Sequence, residues 1–158
     1  MRKKILQAVA TMSFVIAIGV AMVGSAHAQS LAERIKVNIP FDFQVVDKKL
    51  PAGEYLVQRL PQSSSDTVLM VSNVANGQTA IRLTSATQTT TPKEKGTLIF
   101  HRYGDQYFLF QVWPPAGETG RVLPRSRSER EAKQSHDLAR TSTNKTGVET
   151  VTIVSGQR

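Results

Sequence analysis

From Lys36 to Val45 the side chains alternate with a period of two: Val37, Ile39, Phe41, Phe43 and Val45 fall on one side, Lys36, Asn38, Asp42 and Gln44 on the other. A pleated strand points successive side chains to opposite faces, so this run predicts a strand with one buried and one wet face. Pro40 has no amide hydrogen to give a ladder and stands on the wet side, which predicts an edge position or a bend. Turn chemistry follows from Asp47 to Gly53, with Pro51 presetting φ and Gly53 admitting positive φ. Glu54 to Leu60 is extended again and predicts the hairpin partner of the first run.

Two further hairpins are legible. Asn76-Gly77 is the favoured pair for a two-residue type I′ turn, and counting outward predicts Val74 opposite Thr79, Ser72 opposite Ile81, Met70 opposite Leu83, Val68 opposite Ser85 and Val71 opposite Arg82. The run from Gly96 to Trp113 folds back at Gly104-Asp105, which sets Phe100 against Leu109, His101 against Phe108, Arg102 against Tyr107, Leu98 against Gln111 and Ile99 against Phe110. Both faces of this second pair are largely apolar, which predicts a central place in a layered structure.

Short strands separated by turn signals, with no long amphipathic helix among them, predict an all-β protein. The expected architecture is an antiparallel sandwich or small barrel of about six to eight strands, with a short polar C-terminal helix and an N-terminal signal peptide. The polar stretches Pro61 to Asp66 and Thr87 to Lys95 read as loops. After Pro114-Pro115 the composition turns polar and basic, so the β domain is expected to span 29–115 and a basic tail 116–158. Within the tail, Ser126 and Glu129 form a capping-box pattern and Glu129 stands four residues before Lys133, predicting a helix over 126–140. Its apolar residues are Ala132, Leu138 and Ala139, too few for a buried face, so the helix is expected to be solvated or ordered by a partner. Residues 147–154 read as a last strand able to dock on the sheet.

At the other end, Arg2, Lys3 and Lys4 precede an uncharged stretch from Ile5 to Gly24 and the small-residue pattern Ala26-His27-Ala28. This is the pattern of a secretory signal peptide over 1–28, and it predicts a periplasmic or secreted protein beginning at Gln29. The same run, if uncleaved, is the one segment able to hold the chain in a membrane. The net charge of +8 falls to +5 when the three leading cations leave. With no cysteine, an exported chain of this kind relies on an ordinary core rather than on disulfides.

Four separated blocks, Val37-Asn38-Ile39-Pro40-Phe41-Asp42-Phe43, Leu50-Pro51-Ala52-Gly53-Glu54-Tyr55, His101-Arg102-Tyr103-Gly104-Asp105-Gln106-Tyr107-Phe108 and Leu123-Pro124-Arg125-Ser126-Arg127-Ser128-Glu129-Arg130-Glu131, resemble a group of small exported proteins of unassigned function abundant in acidobacteria. The resemblance runs from about Ile35 to Glu131. It implies an exported β-rich protein and brings no activity, cofactor or catalytic residue with it.

Catalytic groupings are sparse. His101 and His136 are the histidines beyond the leader, and without cysteine a zinc site of the usual nitrogen and sulfur type has no ligand set; a site combining histidine with carboxylates stays open, and the expectation is no metal and no cofactor. His101, between Phe100 and Arg102 in a central strand, reads as packed or hydrogen-bonded within the sheet. No G-x-S-x-G elbow is present, and Ala116-Gly117-Glu118-Thr119-Gly120 lacks the lysine and spacing of a phosphate loop. The basic set Arg121, Arg125, Arg127, Arg130, Lys133 and Arg140 could grip an anionic polymer through the guanidinium fork, against the simpler reading of a solvated mixed-charge segment. Export favours an anionic envelope component or envelope protein over nucleic acid as partner. The expected function is therefore a non-enzymatic, envelope-associated binding or structural module. The alternative is a hydrolase of an envelope or extracellular polymer, built from His101 and acids distant in sequence. A membrane-spanning barrel fits poorly, because Lys36, Asp42 and Arg82 fall at non-core strand positions where lipid would lie.

Overall fold

Pro40 is where the chain changes sheets. In the computed structural model, which describes residues 34–60, 67–140 and 148–156, the alternating run is split into β1 (Ile35–Ile39) and β2 (Phe43–Val45). β1 pairs antiparallel with β4 (Gly53–Arg59), in the register Ile35↔Val57 to Ile39↔Gly53. β2 instead turns into β3 (Lys48–Leu50) and joins the opposite layer. The missing amide hydrogen of Pro40 ends one ladder, and the period of two is kept across the break, so Val37, Ile39, Phe43 and Val45 are all buried. The expected leader and the loop 61–66 lie outside the described residues.

The remaining strands are β5 (Val68–Asn73), β6 (Thr79–Leu83), β7 (Ser85–Gln88), β8 (Thr97–Tyr103), β9 (Gln106–Trp113), β10 (Thr119–Val122) and β11 (Glu149–Val154), with one helix, α1 (Arg127–Arg140), among the described residues. They form two sheets. One runs β1-β4-β5-β6, the other β11-β8-β9-β10-β7 with β2 and β3 attached. Ile35, Tyr55, Val57 and Val71 from the first share a continuous buried core with Phe43, Leu98, Phe100 and Val112 from the second. The Phe43 ring meets Tyr55 edge-on at 5.0 Å and Phe100 at 5.5 Å, tying the layers together. The architecture is a β-sandwich rather than a barrel. The described strands number eleven, more than the expected six to eight: the chain breaks long runs where it switches layers, at Pro40 and again at Thr84 between β6 and β7, and β3 and β10 form by pairing where the sequence reads as turn and loop. One pairing is parallel, β2 beside β9 through Gln44↔Phe108.

The hairpin at Asn76-Gly77 forms, but its register differs by two residues from the sequence expectation. Val68 lies opposite Leu83, Met70 opposite Ile81, Val71 opposite Ala80 and Leu69 opposite Arg82. The cause is Asn73, a buried side chain whose Oδ1 accepts the amides of Ala75 and Asn76 at 2.9 and 3.1 Å. This widens the turn to residues 74–77, closed by the Asn73 amide donating to the Gln78 carbonyl at 2.8 Å, with Gly77 at φ 70°. A shift of two leaves every side chain on its own face, so the pattern that identified the strands could not reveal it.

In the β8–β9 hairpin the tip pairs stand as expected, Tyr103↔Gln106 through Phe100↔Leu109. Beyond them a bulge intervenes, and Ile99 faces Gln111 and Leu98 faces Val112. Phe110 is the extra residue, and its ring stacks on His101 with centroids 4.0 Å apart. β8 and β9 are central in their sheet, as their apolar faces required.

The segment after residue 115 is part of the same compact unit, Glu33–Arg158. β10 pairs with β7 and β9, and β11 with β8 over Glu149↔Arg102 to Val154↔Thr97. Composition marked a boundary there because edge strands and a surface helix are polar. Hydrogen-bonded pairing needs no apolar run.

Candidate functional site

Of the six cations singled out from sequence, Arg121 lies on β10, Arg125 precedes α1, and Arg127, Arg130, Lys133 and Arg140 lie within it. Arg125, Arg127 and Lys133 are paired within their own helical neighbourhood, Arg125 Nε lying 3.6 Å from Glu129 Oε1, Arg127 Nε donating to Glu131 at 2.8 Å and Lys133 Nζ to Asp137 at 2.5 Å. Arg130 donates to the Arg125 carbonyl at 3.0 Å. The Arg140 side chain lies outside the described residues. The spacing that suggested an anion grip also suits i,i+4 pairing, and three of the six, Arg125, Arg127 and Lys133, are used that way.

Arg121 stands apart, on β10, where it lines a cleft between the two sheets. Its cross-strand partner is Val112, a core residue, and directly opposed residues share a face. Arg121 therefore occupies an inward position. Arg59 does the same on the opposite sheet: it follows the buried Tyr55 and Val57 at a period of two, and its partner is the buried Leu69. Sequence reading missed Arg59, although its place at the end of the Tyr55-Val57 alternation was the available signal. One sheet thus carries an arginine toward the other from each side of the cleft, over a floor of Ile35, Val57, Leu69 and Val112. The cleft has a volume of about 260 Å³, with Glu118 as its acidic lining residue.

The cleft wall formed by the β9–β10 turn is held tightly. Ala116 adopts φ 56°, a left-handed conformation uncommon outside glycine, and its amide donates to the Lys93 carbonyl at 2.7 Å. Gly120 lies flat against the Trp113 ring; a Cβ there would be 2.6 Å from ring carbons. Strained backbone of this kind persists where surrounding contacts over-determine it, a common property of ligand-binding rims.

A second cluster lies between α1 and β8. Ser126 caps the helix, its Oγ accepting the Glu129 amide at 3.0 Å. The Glu129 side chain does not reach Lys133 as its spacing suggested. It turns inward to His101, with Oε1 2.7 Å from Nδ1. With the carboxylate ionised, Nδ1 carries the proton and donates. Ser128 Oγ adds a bond to Gln44 Oε1 on β2 at 3.1 Å. The helix is therefore docked on the sheet by polar groups, whereas its largest apolar residue, Leu138, is 69% exposed. This corrects the expectation of a solvated or partner-ordered helix: the apolar count missed a buried carboxylate with a partner 28 residues away.

Beside this pair the Tyr103 hydroxyl is buried with no hydrogen-bond partner among the described residues. Burial first, and the charge of Glu129 next, push its pKa above the ordinary tyrosine range. An open groove adjoins it, lined by Tyr103, Gln106, Ser128, Glu131, Ser135 and His136. No group of three or more histidine or carboxylate side chains able to hold a metal occurs among the described residues. No family model, curated protein or solved structure matches this chain.

Proposed function

We propose that this chain is an exported, non-enzymatic binding module of the cell envelope, periplasmic or secreted, of the kind its resemblance to small exported proteins implies. The observation that carries the reading is the cleft at the end of the sandwich, where Arg59 and Arg121 face inward from opposite sheets above an apolar floor. Concave sites with apolar walls and a few convergent polar groups are the usual form of a small-ligand site.

The test is retention on envelope fractions. Purified protein is mixed with isolated envelope polymers and with anionic vesicles at low and high salt, beside an Arg59→Gln/Arg121→Gln variant. Retention by the native chain that the variant loses supports the reading, and equal retention by both removes the cleft from it.

The hydrolase alternative draws on one observation, the 2.7 Å contact that unites His101 with a carboxylate distant in sequence. Both side chains are enclosed, at 6% exposure, and the contact also explains how α1 is held. His101→Ala separates the two readings. A detected hydrolytic activity lost with melting unchanged would favour catalysis, and lost stability alone would favour docking.

A further inference from the structure

We propose that the groove between the β8–β9 turn and α1 binds an uncharged saccharide unit, with the buried Tyr103 hydroxyl bonded to one of its hydroxyl groups. The inference goes beyond the inter-sheet cleft, with which this groove shares no lining residue.

The unpartnered phenol supplies the first argument. Tyr103 is 3% exposed, and its hydroxyl is buried with no hydrogen-bond partner among the described residues. Leaving such a group unsatisfied costs stability, and phenylalanine would fill the same space without that cost. A sugar hydroxyl both donates and accepts, as the phenol does, so it satisfies the phenol in either sense. Tyr103 forms part of the groove wall, beneath the half-buried His136, whose ring stands edge-on to it at 5.9 Å. The imidazole makes no hydrogen bond among the described residues that would hold it there against an incoming group.

Charge supplies the second. The carboxylates around the groove are matched within the protein, Glu129 with His101, Glu131 with Arg127 and Asp137 with Lys133, which leaves none to select a cation. No lysine or arginine stands among the lining residues to select an anion. What the groove presents is neutral: the Gln106 amide, the Ser135 hydroxyl and the His136 imidazole, none of them hydrogen-bonded among the described residues. Amide, hydroxyl and neutral imidazole each offer both a donor and an acceptor, the complement of a hydroxyl-rich, uncharged ligand. The rings of Tyr103 and His136 add apolar bodies beside polar tips, which suits the C–H faces of a sugar. At about 30 Å³ per heavy atom, the volume of about 450 Å³ admits roughly fifteen atoms, the size of one N-acetylhexosamine.

Glucose and N-acetylglucosamine are the single-unit probes, maltotriose and tri-N-acetylchitotriose the chain probes, and trigalacturonate is the charged control. Titration of the full chain in NMR spectra is expected to give saturable shifts at the Ala132 methyl and the His136 ring with at least one neutral sugar, and weaker binding of the control. Tyr103→Phe is expected to weaken binding roughly tenfold, the loss of one buried hydrogen bond, while raising the melting temperature. Gln106→Ala is expected to weaken binding with melting unchanged. Affinity and stability moving in opposite directions is a signature that a merely structural tyrosine would not give. No saturable shift with any neutral sugar, shifts confined elsewhere, equal binding of trigalacturonate, or undiminished affinity in Tyr103→Phe would each overturn the proposal. Tighter binding of the trimers than of their monomers supports it with a glycan chain as the source, and equal binding supports it with a free sugar. Arg59→Gln/Arg121→Gln is expected to bind the sugars as the native chain does, so failure of the groove and failure of the cleft are told apart.

Discussion

Nδ1 of His101 on β8 lies 2.7 Å from Oε1 of Glu129 on α1, and this buried contact fastens the helix to the sheet. Phe110, the residue extruded by the β9 bulge, stacks on the imidazole and fixes its plane. Arg125 approaches the same carboxylate oxygen from the exposed side. One carboxylate thus serves the helix, the sheet and a surface arginine.

Removing one member of the pair leaves the other buried without its partner. Glu129→Ala is expected to cost about 3 kcal/mol in urea unfolding, and His101→Ala a similar amount. The double variant is expected to cost at least about 1 kcal/mol less than the sum. Additive losses would show that the two side chains do not act as a unit.

The Tyr103 hydroxyl is the counterexample within the same cluster, because it is buried and finds no partner among the described residues. Tyr103→Phe keeps the ring and removes an unsatisfied polar group. It is expected to raise stability by about 1 kcal/mol, read as a higher melting temperature in calorimetry. A lower melting temperature would mean that the hydroxyl is bonded in solution.

Stability is expected to fall at alkaline pH. Burial raises the pKa of Tyr55 and Tyr103 above the ordinary value of 10.0. Below that value both phenols are neutral in the folded and unfolded chain and contribute no slope; above it the unfolded chain loses its protons first, and stability drops until the folded hydroxyls also titrate. Unfolding midpoints measured from neutral to strongly alkaline pH check this, and Tyr103→Phe should flatten the fall.

Gly120→Ala drives a methyl group into the Trp113 ring, at 2.6 Å before any relaxation. Because the ring is buried, the expected loss is about 2 kcal/mol, with a shifted tryptophan emission. Unchanged emission and stability would mean that β10 moves aside freely.

β6 ends its sheet, and two of its outward carbonyls are covered: Lys48 Nζ donates to the Thr79 carbonyl at 2.7 Å and the Arg82 guanidinium to the Ile81 carbonyl at 2.8 Å. Ile81 and Leu83 are exposed on the same strand, so an uncovered edge would be sticky. Lys48→Ala/Arg82→Ala is expected to self-associate in sedimentation velocity where the native chain stays monodisperse. A monodisperse variant would assign edge protection to other features.

The sequence by itself determined the longer strands, because a period of two is a property of the backbone pleat and survives whatever the strand pairs with; the short β3, β7 and β10 form where the sequence reads as turn or loop, because pairing alone holds them. Val37 to Val45, the two hairpins and the capped helix at Ser126 were all legible for that reason. Layer and register were decided by tertiary structure. Pro40 announced a break without saying that the chain would cross between sheets, and the Asn73 turn moved a register by two residues with every face unchanged. The candidate site was legible only in fragments: Arg121 was noticed for its charge, Arg59 was not, and what matters is that both point inward from different sheets. The same holds for Glu129, whose neighbours along the helix offered Lys133 and whose partner is His101. Local periodicity reports which way a side chain faces, and what it meets there depends on chain folded back from far along the sequence.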